Sequence, residues 1–129
     1  MQGEFQKNNI RFKQEIVDKE MEITADYHLM EQVIINLIRN SLDASRGKED
    51  SFIRLQAEMD DGQPAIKVVD NGKGILPDIY EQIFVPFYST KKEGSGIGLS
   101  FSRQIMQLHG GSISVQSIPG EETVFTLRF

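Results

Sequence analysis

Apolar and polar residues alternate over Asn9-Ile10-Arg11-Phe12-Lys13 and, briefly, over Met21-Glu22-Ile23-Thr24, the period-two signature of half-buried strands. Between Leu29 and Leu42 the period changes. Leu29, Val33, Ile34, Leu37, Ile38 and Leu42 recur at helical steps, which predicts an amphipathic helix entered at the N-cap Asp26 and stopping near Gly47. Residues 52–57 and 65–69 read as strands joined by the acidic turn Asp60-Asp61-Gly62. Residues 75–95 are irregular, with one short helical piece near Asp78 to Phe84. Helical spacing returns over Leu99–Met106 and is broken at Gly110-Gly111; residues 112–116 and 123–127 then form a closing hairpin. Hairpins demand antiparallel pairing, and two amphipathic helices need a surface to cover. The expected fold is therefore α+β, a two-layer sandwich with helices on one face of a mixed, mainly antiparallel sheet.

Composition narrows the field without choosing a function. The 129 residues suit one domain, with residues 1–7 read as a frayed start. A net charge of −5 argues against a general nucleic-acid surface, yet it tolerates a nucleotide whose charge a cation offsets. Cysteine is absent, so disulfides and thiolate metal sites are excluded, in keeping with a reducing compartment. No apolar run reaches membrane-spanning length, and residues 1–6 do not read as a signal peptide. A cytoplasmic location with no direct membrane contact is expected, whether or not a longer parent protein is membrane-anchored.

Two glycine clusters carry the chemistry. Asp70-Asn71-Gly72-Lys73-Gly74 follows the apolar run 66–69 and reads as a strand end opening into a tight loop. Gly94-Ser95-Gly96-Ile97-Gly98-Leu99 runs directly into the second helix, where free backbone N–H groups and the positive dipole end favour phosphate. A fixed carboxylate at one place and a phosphate cradle at another suggest a ligand with a base at one end. On the first helix Asn36, Asn40 and Asp43 share a narrow sector beside the apolar face. One asparagine there would ordinarily be a solvated edge. Two, one turn apart, suit a neutral oxygen ligand for Mg²⁺ that phosphates also hold.

These segments resemble the sequence boxes of the sensor histidine kinases. Residues 36–44 resemble the asparagine box, residues 70–75 the first glycine box, residues 83–91 the phenylalanine box, and residues 94–99 the second glycine box. The likeness continues through His109-Gly110-Gly111 to Thr123-Val124-Phe125. Each box alone is weak; four in order are specific. The resemblance implies the ATP-binding fold shared by gyrase, heat-shock chaperone ATPases, histidine kinases and MutL-type repair proteins.

By that resemblance, Asp70 accepts a hydrogen bond from the adenine amino group, where guanine presents an acceptor instead. Gly72, Gly74 and Ile75 turn against base and sugar. Asn40 is the expected Mg²⁺ ligand, with Asn36 and Asp43 on the phosphate side. Gly94, Ser95, Gly96, Ile97, Gly98 and Leu99 wrap the phosphates, Lys91 and Lys92 reach toward them, and Thr123 supports the adenine pocket through water. Phe84, Phe87 and Tyr88 are expected as lid anchors, and His28 and His109 as structural residues.

One position separates the subfamilies. Gyrase and the chaperones carry a glutamate general base one turn before the metal-binding asparagine. Here that position is Asn36, and an amide cannot act as a base. Slow hydrolysis is therefore expected, leaving the γ-phosphate for a histidine supplied from elsewhere. No phospho-acceptor motif surrounds either histidine, and Asp43 stands where many such kinases have a basic residue. The implied function is that of a magnesium–ATP-dependent protein histidine kinase catalytic domain. Its partners would be a dimerisation and phospho-acceptor domain of the same parent and a downstream response regulator. Two other readings stay open on the residues alone: a serine kinase of the anti-sigma-factor type, and a module that binds nucleotide, or nothing, to control a partner.

Overall fold

Asp26 starts the longer helix as its pattern requires, its carboxylate accepting a 2.9 Å hydrogen bond from the Leu29 N–H. The structure, a computed structural model, describes residues 9–88 and 98–129. Within them, strand β1 spans Arg11–Ile16, helix α1 Tyr27–Ala44, β2 Phe52–Asp60, β3 Gln63–Asp70, helix α2 Gly98–Leu108, β4 Ser112–Ile118 and β5 Glu122–Arg128. Two 3-10 turns, Pro77–Ile79 and Gln82–Phe84, lie between β3 and α2.

The five strands form one sheet in the order β1-β2-β3-β5-β4, antiparallel throughout except for the parallel pair β1–β2. A parallel pair needs a crossover, and α1 supplies it. The β2–β3 hairpin closes through Asp61 and Gly62, both at positive φ (53° and 78°), as the two-residue turn of a twisted hairpin requires. Val33 and Leu37 of α1 and Met106 of α2 bury completely against Ile53, Val68 and Leu127 of the sheet, with Phe125 nearly so. The opposite face is polar. There Lys67 pairs with Glu58 at 2.8 Å and Arg128 with Asp60 at 3.0 Å.

The helices-on-one-face sandwich is the expected one, with two local differences. Met21–Thr24 forms no strand. It belongs to the connection that carries the chain from the end of β1 to the crossover helix, where no strand lies alongside. The helical piece near Asp78 to Phe84 is two separate 3-10 turns rather than one helix, the first opened by Pro77. Elsewhere β2 to β5 run two or three residues longer than their apolar alternation, β1 lies at Arg11–Ile16 rather than over residues 9–13, and α1 ends at Ala44, with Gly47 beyond it at φ 76°.

Candidate functional site

Asp70 is the last residue of β3 and is 1% exposed. It sits in register with Ile53 on one side and Thr123 on the other, on the face the helices cover. Its Oδ1 accepts a 2.9 Å hydrogen bond from the Gly72 N–H, an Asx-type turn closed by its own loop. Burial pushes the carboxyl above the usual carboxylate range. The Gly72 N–H, the Ser41 hydroxyl and the charge of Lys48 all pull it back, less strongly. Ser41 lies close enough to act on Asp70, yet its hydroxyl closes no hydrogen bond of good geometry among the described residues and is 1% exposed. A buried hydroxyl beside a buried carboxylate gives this strand end two polar groups that a ligand edge or a bridging water could share.

The loop after Asp70 is fixed from outside. Asn71 accepts from the Phe52 N–H at 2.8 Å through Oδ1 and donates to the Asp50 carbonyl at 3.0 Å through Nδ2. The Lys73 N–H donates to the Ala44 carbonyl at 2.9 Å. Gly72 presses on the end of α1 so closely that a Cβ would lie 2.4 Å from the Ala44 oxygen. Gly74, at φ 81°, would place a Cβ 2.7 Å from Pro119 Cα. Both glycines thus have a reason in contacts with the protein itself, independent of any ligand.

Beyond Gly74 a hydroxyl chain crosses to the far hairpin. The Ile75 N–H donates to Ser117 Oγ at 2.9 Å, and Ser117 Oγ meets Thr123 Oγ1 at 2.8 Å. Tyr80 braces the same point: its hydroxyl donates to the Ser117 carbonyl (2.9 Å) and accepts from the Ser117 N–H (2.7 Å). Thr123 is therefore engaged with Ser117 and is 3% exposed, beside Asp70 in the sheet.

The helix stripe forms the other side. Asn36, Asn40 and Asp43 are each half-buried. The Asn36 amide donates to the Gly98 carbonyl at 3.4 Å and to Ser102 Oγ at 3.5 Å, so it meets the first turn of α2, where Gly98 and Leu99 lie. Asp43 pairs with Arg46 at 3.2 Å. Asp70, Thr123, Ile75, Gly72 and Gly74 thus gather at the sheet end, and Asn36 and Gly98 at the helix crossing. Asn40 sits one turn along α1 from Asn36, toward the Gly72 end. Lys91, Lys92, Gly94, Ser95, Gly96 and Ile97 lie outside the described residues.

Ser41, Ser117, Tyr80 and Lys48 were not legible as parts of this arrangement, because each enters through a contact made by the fold. Ser41 follows Asn40 directly and could have been singled out as a polar residue on the core side of α1. Among the described residues no cluster of three or more histidine or acidic side chains could hold a metal alone. A cation here would rest on a neutral oxygen such as that of Asn40 and on the ligand's own anionic oxygens, a donor set that fits Mg²⁺.

Comparison with known proteins decides the family. Residues 25–129 match the model described as histidine kinase-, DNA gyrase B- and HSP90-like ATPase. The chain belongs to this ATPase family. Within it, the resemblance is to the histidine kinase branch. The chain is 43% identical over 94 residues to the C4-dicarboxylate transport sensor protein DctB of Rhizobium meliloti, covering 73% of this chain and 15% of that protein. It is 40% identical over 121 residues to the signal transduction histidine-protein kinase AtoS of Escherichia coli, covering 92% of this chain and 19% of that protein. This ATPase-family chain therefore spans about a fifth or less of those relatives. The catalytic domain of histidine kinase ThkA, in a nucleotide-free form, superposes with a TM-score of 0.87 at 30% identity, covering 99% of this chain and 83% of that one. ThkA has also been solved in complex with the response regulator TrrA; that structure superposes at 0.81 with 28% identity, covering 99% of this chain and 36% of that one.

Proposed function

We propose that this domain binds Mg–ATP and presents the γ-phosphate to a histidine on a dimerisation and phospho-acceptor domain outside the chain. The observation that carries this is Asp70, a nearly inaccessible carboxylate at a strand end, held by its own loop beside the buried Ser41 hydroxyl. A carboxylate so placed favours a ligand edge that donates, such as the amino group of adenine, and disfavours guanine, which offers an acceptor there.

Each residue then has a task. Asp70 selects the base, and Thr123 with Ser117 supports the pocket floor. Ile75 and Gly74 shape the wall beside the sugar. Asn40 contributes a side-chain oxygen to the cation, and Asn36 and Asp43 flank the phosphate side. The magnesium ion, when bound, offsets phosphate charge and orients the γ-phosphoryl group. Gly94 to Leu99, with Lys91 and Lys92, are proposed as the phosphate cradle on the strength of their sequence. Asn36 stands where a hydrolytic base would stand and lacks the basicity, so water is not activated there and the phosphoryl group waits for a better nucleophile.

The relatives' names support the partners in this reading, and a cytoplasmic place is proposed with them. DctB and AtoS are named as sensor and signal-transduction proteins, and ThkA pairs with a response regulator. We take the present domain as the cytoplasmic, ATP-using part of such a system. The test is a calorimetric titration with non-hydrolysable ATP and GTP analogues, with and without Mg²⁺, followed by phosphotransfer to a histidine-bearing helical hairpin. Binding of the adenine analogue alone, tightened by Mg²⁺, with label appearing on the histidine, is the expected result. Binding without transfer to any histidine hairpin, but with transfer to a serine protein, would favour the anti-sigma-factor type.

A further inference from the structure

Lys48 lies in the connection between α1 and β2, well outside the four sequence boxes, yet it reaches the loop that holds Asp70. Its ammonium donates to the backbone carbonyl of Asn71 and, at 3.4 Å, to that of Gly120 in the β4–β5 turn. One side chain thus ties three separate connections together. We propose that Lys48 is a positioning residue for base recognition, holding the Asp70 loop between the end of α1 and the β4–β5 turn so that the carboxylate meets a purine amino group as a fixed acceptor. This rests on the Mg–ATP reading above.

The bland alternative is a lysine that merely caps the C-terminal carbonyls of α1. Geometry speaks against it, because the ammonium bonds to Asn71 and Gly120, which lie beyond the helix in β3's exit and in the far hairpin. The bonding is also reciprocal. Asn71 holds the same connection through the Asp50 carbonyl and the Phe52 N–H, so the two segments clasp each other from both sides.

Charge gives the contact a chemical consequence. Around Asp70, α1 offers Asp43, which pairs at 3.2 Å with Arg46 just beyond the helix. The α1–β2 connection offers Lys48, Glu49 and Asp50, the loop after β3 offers Lys73, and β5 offers Glu122, which faces Arg54 at 3.8 Å. Of these, Lys48 is the charge that acts on Asp70, against the effect of burial. An ionised carboxylate only accepts hydrogen bonds. A protonated one also donates, and a donor there would welcome the guanine carbonyl. Lys48 therefore contributes to telling adenine from guanine as well as to placing the loop.

The experiment compares Lys48→Met and Lys48→Arg with the unaltered chain. Backbone amide exchange at residues 71–74 is read without nucleotide, thermal unfolding is recorded, and non-hydrolysable ATP and GTP analogues are titrated with Mg²⁺. Lys48→Met should exchange faster at 71–74 and bind the ATP analogue about tenfold more weakly, the loss of roughly one charge-assisted hydrogen bond, with adenine preference reduced. Lys48→Arg should restore all three. Unchanged exchange in Lys48→Met would overturn the pinning. Equal weakening of both nucleotides in step with lost stability would overturn the recognition role and leave a brace. Failure of the unaltered chain to bind either analogue would overturn the nucleotide reading, and the recognition role with it, while the exchange data would still decide whether Lys48 pins the loop.

Discussion

His109 Nε2 accepts a 3.0 Å hydrogen bond from the backbone N–H of Asp26, a residue 83 positions earlier. Its Nδ1 faces the Ile105 carbonyl at 2.8 Å, which fixes the tautomer with the proton on Nδ1. The imidazole therefore locks the end of α2 to the residue that caps the start of α1. Replacing His109 by alanine removes both bonds, and about 1–2 kcal/mol of stability should be lost. Urea unfolding of His109→Ala checks this, and nucleotide affinity should stay near its original value.

Asp70 illustrates the cost of a buried carboxylate. Burial raises its proton affinity in the folded protein, so ionised Asp70 opposes folding at neutral pH. Relief comes as pH falls from its raised native value into the ordinary carboxylate range. Asp70→Asn keeps an oxygen for the Gly72 N–H and removes the charge. It should melt roughly 3 °C higher at pH 7, the shift that about 1 kcal/mol produces in a domain of this size. That advantage should shrink as the pH is lowered. Affinity for an adenine nucleotide should fall about ten- to a hundredfold in the same variant. Calorimetric melting across pH 4–7, with titration at pH 7, reads both halves.

Gly72→Ala forces a methyl group against the Ala44 carbonyl, 2.4 Å from its oxygen, where both partners are backbone and neither can swing aside. Overpacking of this kind costs about 1–3 kcal/mol. Denaturant unfolding should show the loss even in the absence of nucleotide, which separates it from a residue needed only for binding.

Asn40 is expected to carry the cation. In the unaltered chain Mg²⁺ should tighten ATP-analogue binding about tenfold, a typical coupling between two ligands. In Asn40→Ala the dependence on Mg²⁺ should largely vanish while metal-free binding changes little. Paired titrations with Mg²⁺ and with EDTA give the four affinities required.

The two helices and the two hairpins were legible because each rests on local signals: Asp26 before a helical stripe, Asp61-Gly62 between alternating runs, Gly110-Gly111 after α2. Asp70 was legible as well, since a carboxylate at a strand end before Gly-x-Gly is unusual in itself. What escaped was everything set by tertiary contact. Nothing in Met21–Thr24 says that no strand will lie beside it. Nothing in the run Arg46-Gly47-Lys48 says that the lysine will meet Asn71 and Gly120. The reason for Gly72 is likewise invisible until Ala44 is brought against it.

That last contact has a mechanical meaning. With no room for even a methyl group between Gly72 and the end of α1, helix and loop are welded into a single piece, reinforced by the bond from Lys73 to Ala44. Asn40 on the helix and Asp70 before the loop are thereby carried on one body, and as proposed ligand contacts they would act like the two jaws of a fixed gauge. On the nucleotide reading proposed above, a ligand spanning them would be measured by its length, and adaptation to its size would fall to the far boundary, where Asn36 meets α2 through two long hydrogen bonds.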